Sequence, residues 1–243
     1  MIRIALAVVL LFGIAPQPRL PKVLYLTQSA GFKHAVLPLS EQKLAEMGLA
    51  AKAFETTVSQ DAATAITAAN LANYDAVVFF TTGELPMHDE QKTALLEFVR
   101  GGKGFVGVHS ATDTFYKWAE YGQMIGGYFN DHPWHQEVQI KVEDARHPAT
   151  AHLPPTFMLN DEIYQFRDWS RSDVHVLLSL DVTSVDVTKP NVKRPDKDFA
   201  IAWTRPFGKG RVFYTALGHE PALWSDERFQ RHLVGGITWA MGR

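Results

Sequence analysis

Apolar residues come in short unbroken runs over the first half of the chain and alternate with polar residues over the second. The runs at 23–27 (Val-Leu-Tyr-Leu-Thr), 76–80 (Ala-Val-Val-Phe-Phe) and 104–108 (Gly-Phe-Val-Gly-Val) are too short for helices and predict buried strands, with a further strand over 51–57. Helical spacing between them predicts helices over 41–47, where Gly48 supplies a stop, from an Asp61 cap to residue 69, and over 89–100. In the last of these Ala94, Leu95 and Phe98 share a face and Gly101-Gly102 ends the helix. Strand and helix in alternation imply parallel strands joined by crossover helices. Residues 137–142, 162–166 and 174–180 instead alternate apolar with polar and read as antiparallel or edge strands. The turn Pro206-Phe207-Gly208-Lys209-Gly210 joins strands at 200–204 and 211–215 into a hairpin, and a closing helix over 227–241 turns Phe229, Leu233, Ile237 and Trp239 inward. The predicted fold is a layered α/β fold: a mainly parallel central sheet, helices on both faces, and added antiparallel strands.

The N-terminus modifies this picture. Met1-Ile2-Arg3 gives a positive start, and residues 4–15 are an uncharged apolar run ending in Gly13-Ile14-Ala15. The pattern is that of a signal peptide, too short for a comfortable membrane span, with Pro16, Pro18 and Pro21 marking a linker. The competing reading is a buried first strand. We therefore expect a leader and linker over 1–21, one domain over 22–243, export to the periplasm, and no stable membrane insertion once the leader is removed.

Composition removes several chemistries. The chain of 243 residues holds no cysteine, which excludes disulfides, thiolate catalysis and Cys-ligated zinc. Basic and acidic residues nearly cancel, 24 against 26, with no basic stripe for nucleic acid. Neither a Walker pattern nor Gly-x-Gly-x-x-Gly occurs, so no nucleotide cofactor is expected.

Histidines collect where parallel strands end. His34 follows the first strand, His109 ends the fourth, and His219-Glu220 follows the strand at 211–215. Ligands of open α/β sheets bind outside the carboxyl ends of the strands, so these side chains converge on one edge. Gly107-Val108-His109-Ser110-Ala111 has the spacing of a nucleophile elbow, with a histidine at the presented position. Neutral imidazole serves as a metal ligand or a proton shuttle. Each residue also has a structural reading. His34 and Asp113 could cap a following helix, Ser110 could cap or donate a hydrogen bond, and Glu162 could be a solvated edge-strand carboxylate. His132 and His135 flank Pro133-Trp134, so they are no helical metal pair; His132 is a substrate-binding candidate and His135 reads as surface. Most aromatics read as core, while Trp134 and Tyr164 are candidates for stacking on a sugar ring, with Glu220 as a further substrate contact.

Taken together, Gly31-Phe32-Lys33-His34, the segment 107–113, Gly126-Gly127-Tyr128-Phe129, His132-Pro133, Asp161-Glu162-Ile163-Tyr164 and the segment 208–219 resemble the trehalose-utilisation (ThuA-like) family, over nearly the whole chain from residue 22. That family lies in the class I glutamine-amidotransferase-like superfamily, which implies a flavodoxin-like fold. In the superfamily's amidotransferases a cysteine occupies the elbow and a histidine-glutamate pair follows a late strand. His109 matches the cysteine position, and His219-Glu220 resembles the pair with the intervening residue missing. The resemblance implies sugar catabolism and a small sugar as substrate, in pathways that oxidise a sugar at C3. A C3 ketone acidifies the C2 proton, so a base removes it and the aglycone at C1 leaves by elimination, with a divalent metal stabilising the enolate. On this reading His34, His109 and His219 contact the metal, and Asp113 or Glu162 is the base; alternatively His109 is the base and no metal takes part. A non-catalytic carbohydrate-binding domain is the other class of function compatible with these residues.

Overall fold

The computed structural model describes residues 19–243. Nearly all of the leader and linker expected over 1–21 lies outside these residues.

Five strands form the parallel part of one sheet: β1 (Lys22–Leu26), β2 (Glu55–Ser59), β3 (Ala76–Phe79), β4 (Gly104–Val108) and β9 (Gly210–Thr215). Four more, β5 (Tyr128–Val142), β6 (Thr156–Arg167), β7 (His175–Leu180) and β8 (Ala200–Phe207), extend it antiparallel, in the order β2-β1-β3-β4-β9-β8-β7-β5-β6. Alternate residues of the buried strands feed two cores. Val23, Tyr25, Val106, Val108 and Phe213 pack on one face with α1 (Leu37–Ala50) and α6 (Glu227–Ala240). Leu24, Leu26, Phe105, Val212 and Tyr214 pack on the other with α4 (Asp89–Arg100) and α5 (Ala119–Ile125). Helices thus cover both faces, which is the expected layered α/β, flavodoxin-like arrangement.

Several boundaries differ from the sequence reading, each for a packing reason. Helix α1 runs through Gly48 instead of stopping there, because the Phe54 ring fills the place of its missing Cβ. The helix expected from Asp61 to residue 69 is two short turns, α2 (Ala62–Ala65) and α3 (Ala68–Leu71), the second capped afresh by the Thr67 hydroxyl. Asp61 does cap the first, accepting from the Ala63 and Thr64 amides. Strand β2 lies at 55–59, shifted from 51–57 by its register with β1. Trp239 is half-buried under Arg211 instead of inward.

The largest difference is in the second half. The 15-residue β5 and 12-residue β6 form a long hairpin whose register shifts around Asp131 and again before Trp134. Only the end of β5, Ile140 to Val142, pairs with β7. The rest of the hairpin carries Phe129, His132, Glu162 and Tyr164 to the carboxyl edge of β4.

Candidate active site

The centre of the site is His109, wholly buried at the end of β4. Its backbone is left-handed (φ 47°), the strained conformation of an elbow. A single 3₁₀ turn, His109–Asp113, follows in place of the expected helix, and α5 begins only at Ala119. Ring atom Nδ1 lies 2.6 Å from the Ala216 carbonyl oxygen, which only accepts, so Nδ1 carries the proton. The lone pair of Nε2 therefore faces the cleft, where the Tyr164 hydroxyl donates to it at 2.9 Å. Below, the Tyr214 hydroxyl donates to the His109 carbonyl at 2.7 Å.

Three other side chains converge on Nε2. Glu162 Oε2 lies 3.4 Å away and His219 Nδ1 3.3 Å away, and these two are 3.1 Å apart. His34 completes the group, its ring 4.9 Å from that of His109 and 5.2 Å from that of His219. His34 is not a helix cap: α1 is entered at Val36 without a side-chain cap. Its Nδ1 is buried and has no hydrogen-bond partner among the described residues. The loop that brings in His219 is held by Asp161, whose carboxylate accepts from the Gly218 and Glu220 amides at 2.7 and 2.9 Å. The left-handed backbone of Gly218 (φ 133°) makes that bend accessible.

Electrostatics follow from burial and from these contacts. Burial, with His109 and His219 adding to it, pushes the His34 ring down to about 3, so it is neutral at physiological pH. Burial would raise Glu162, but its contacts with the His109 and His219 rings outweigh it and hold the carboxyl well below the usual range. The bond to Glu162 raises His219. Asp161 is pushed up by burial.

Could these residues hold a divalent metal ion? One donor atom from each of His34, His109, Glu162 and His219 lies within 4.8 Å of the others. Three imidazoles and a carboxylate are a donor set for zinc, manganese or iron. His109 has the tautomer a ligand needs, fixed by a backbone carbonyl behind it. His34 is uncommitted as well: its buried Nδ1 makes no hydrogen bond among the described residues. The residues fit the group.

Above the set opens a cleft of about 400 Å³, lined also by Phe32, Asp113, Phe129, His132 and Tyr164. Asp113 stands apart from the donor set. Its Oδ1 accepts from the Tyr116 hydroxyl at 2.5 Å, and burial raises its pKa. His132 is half exposed at the mouth, 3.4 Å from Glu162 Oε1. Larger clefts of about 470 and 640 Å³ lie elsewhere, but neither contains a donor set of this kind.

Two expected substrate contacts fall outside the cleft. Trp134 is fully buried in the core, edge-on to Phe199, with its indole nitrogen donating to the Asp186 carbonyl; the register shift beside it turns the ring inward. Glu220 pairs with His135 at 2.5 Å. Ser110 is buried and its hydroxyl has no partner among the described residues. Sequence reasoning missed Phe32, which is 66% exposed at the cleft, and a phenylalanine two residues before His34 was the available signal; Phe129, one of the clustered aromatics from which an apolar floor was expected, lines the cleft opposite. It also missed Asp161, whose adjacency to Glu162 was visible but whose loop partner was not.

A flavodoxin-like sheet with a histidine-glutamate set at its carboxyl edge, and no cysteine, defines a layered α/β protein whose site cannot use a thiol. The chain belongs to the trehalose-utilisation (ThuA) family, which it matches over residues 22–240. Among solved structures it is similar to a ThuA-like protein of Bacteroides uniformis, with 24% identity, TM-score 0.77 and 94% of each chain covered. A ThuA-like protein of Parabacteroides merdae is 20% identical, with TM-score 0.73, covering 92% of this chain and 90% of that one. The fold also recurs within the β-galactosidase of Bacillus circulans sp. alkalophilus, at 12% identity and TM-score 0.57, covering 91% of this chain but 31% of that one. No curated protein sequence matches. The family gives the protein a sugar-related role. No helix among the described residues is long and apolar enough to cross a membrane.

Proposed function

We propose that the protein opens the glycosidic bond of a 3-keto-glycoside by proton abstraction and elimination, completed as net hydrolysis when water adds later. One observation carries this reading: a four-residue imidazole–carboxylate set shares a cleft with a separate carboxylate, Asp113, that has no ion pair among the described residues. The family's sugar-related role supplies the substrate class.

His34, His109, Glu162 and His219 hold a divalent ion, which when bound supplies positive charge to polarise the ketone. Asp113 is the base. Tyr116 occupies its Oδ1, and Oδ2 has no hydrogen-bond partner among the described residues. Burial raises its proton affinity toward what a base requires. As Asp113 takes the C2 proton, the C–H electron pair becomes the C1–C2 double bond, the C1–O bond breaks, and the leaving oxygen departs with its pair and is protonated. His132, at the mouth, is placed to hydrogen-bond that oxygen. Tyr164 offers its hydroxyl to the sugar, and Phe32 and Phe129 offer apolar walls to its C–H faces. Glu162 is engaged by three histidines, His109, His132 and His219, which favours Asp113 over it as base. His109 as base is disfavoured by its full burial and by its place in the metal set, which takes the Nε2 lone pair.

The recurrence of this fold as a portion of a β-galactosidase favours a second reading, a carbohydrate-binding domain without catalysis. Turnover of a 3-keto-glycoside before and after dialysis against chelator separates the readings. Loss of turnover that added metal restores supports the proposal. Turnover indifferent to chelator removes the metal from it. Sugar binding without turnover supports the second reading. We also place the protein in the periplasm, on the leader pattern of residues 1–21; N-terminal sequencing of the mature protein tests this.

A further inference from the structure

We infer that His135, Glu220 and His219 form a second divalent-cation site, on the solvent side of the buried set and sharing His219 with it. The inference rests on the reading of His34, His109, Glu162 and His219 as the inner site.

Register and loop geometry build the outer site. His135 on β5 stands directly opposite Glu162 on β6, and directly opposed residues of an antiparallel pair share a face. Glu162 reaches the inner set and His135 stands beside it. Facing them are consecutive residues of one loop, His219 and Glu220. Asp161 fixes both by accepting from the Gly218 and Glu220 amides, so the loop is positioned whether or not an ion is bound. One donor atom from each of His135, His219 and Glu220 lies within 4.8 Å of the others. His135 Nε2 is 2.5 Å from Glu220 Oε1, and the His135 and His219 rings are 5.0 Å apart.

A histidine–glutamate pair alone is ordinary surface chemistry. The third donor, which faces the inner donor set with its other nitrogen, makes this one a site. His219 turns Nδ1 toward Glu162 and His109, which leaves its second ring nitrogen for the outer ion. His219 would thus contribute one ring nitrogen to each set, its ring proton being released to solvent when both are used. Two imidazoles and a carboxylate suit zinc, with water completing the coordination because His135 is half exposed. Fewer protein donors and greater exposure make this the weaker of the two sites.

The test is equilibrium dialysis of the tag-free full chain, stripped with chelator, against Zn²⁺, counting bound ions per chain. The expected result is a tight ion and a weaker one in the native sequence, with the weaker one lost in both His135→Ala and Glu220→Gln and the tight one kept. Saturation at a single ion, or variants that bind as many ions as the native chain, overturns the outer site and leaves the inner one standing. No bound ion in any of the three overturns both.

Discussion

His109 Nδ1 lies 2.6 Å from the carbonyl oxygen of Ala216, and that contact decides which nitrogen of the buried ring faces the cleft. The residue that follows β9 thereby orients the side chain that follows its neighbour β4, and the orientation holds without a bound ion. His34 is the counterpart. Its Nδ1 is buried with no partner among the described residues, so no hydrogen bond fixes the ring through that atom.

This asymmetry separates metal binding from folding. His34→Ala removes a donor but breaks no hydrogen bond at Nδ1, and a buried polar atom without a partner is itself a cost of about 1–3 kcal/mol. The variant is expected to bind divalent metal at least roughly 10–100-fold more weakly, the loss typical of disturbing a metal site's supporting contacts. In chelator, its melting temperature should stay near that of the native chain. Calorimetric titration and thermal melts check both; equal metal affinity would remove His34 from the set.

Asp113→Asn tests the base. The amide oxygen of the substituted side chain still accepts from Tyr116, so the fold and metal content should persist while kcat on a 3-keto-glycoside falls by about 10²–10⁴, the usual worth of general-base catalysis. In the native enzyme the base must be ionised, and burial favours the protonated form. The acid limb of kcat/KM is therefore expected at a pH above the ordinary aspartate value of about 3.9. A variant with full turnover would return the role to Glu162 or His109.

The parallel half and its histidines were legible because both signals are local. An apolar run that ends in Gly107-Val108-His109 states where a buried strand stops and which side chain stands at its end. The antiparallel half was less legible. Which residues of β5 face the cleft depends on two register shifts between Phe129 and Trp134, and alternation in sequence is blind to shifts. Hence Trp134, between Pro133 and His135, looked like a sugar platform and is core, while His135 is exposed, as it looked, but stands beside His219. Glu162 and Asp161 were visible as carboxylates, but their division of labour required the loop at 218–220, far away in sequence.

Asp161→Ala should weaken metal binding although Asp161 donates nothing to the set. The carboxylate holds the Gly218 and Glu220 amides, and its loss leaves the buried Gly218 N–H without a partner. A cost of about 2–4 kcal/mol is expected from orphaned donors and the lost charge-assisted bonds. His219 rides on this loop, so its position loosens with it. The signature is a lower melting temperature together with reduced zinc affinity; a variant destabilised but with native affinity would show that His219 is held by Glu162 alone.

Acid sensitivity of the fold has a source far from the cleft. His232, on α6, is buried against Phe213, with Nδ1 on the Ala149 carbonyl and Nε2 unpartnered among the described residues. Burial pushes its pKa down to about 4. The folded value lies below the unfolded one of about 6.5, so the unfolded chain binds the proton first as pH falls. Stability associated with the neutral ring is complete above about pH 6.5 and drains away toward pH 4, amounting to roughly 3 kcal/mol at most. His232→Phe removes the titrating group. Its stability between pH 4 and 6.5, from denaturant melts at several pH values, should fall less steeply than that of the native chain. Identical slopes would assign the acid loss to other groups, His147 first, since burial holds that ring at about 4 as well.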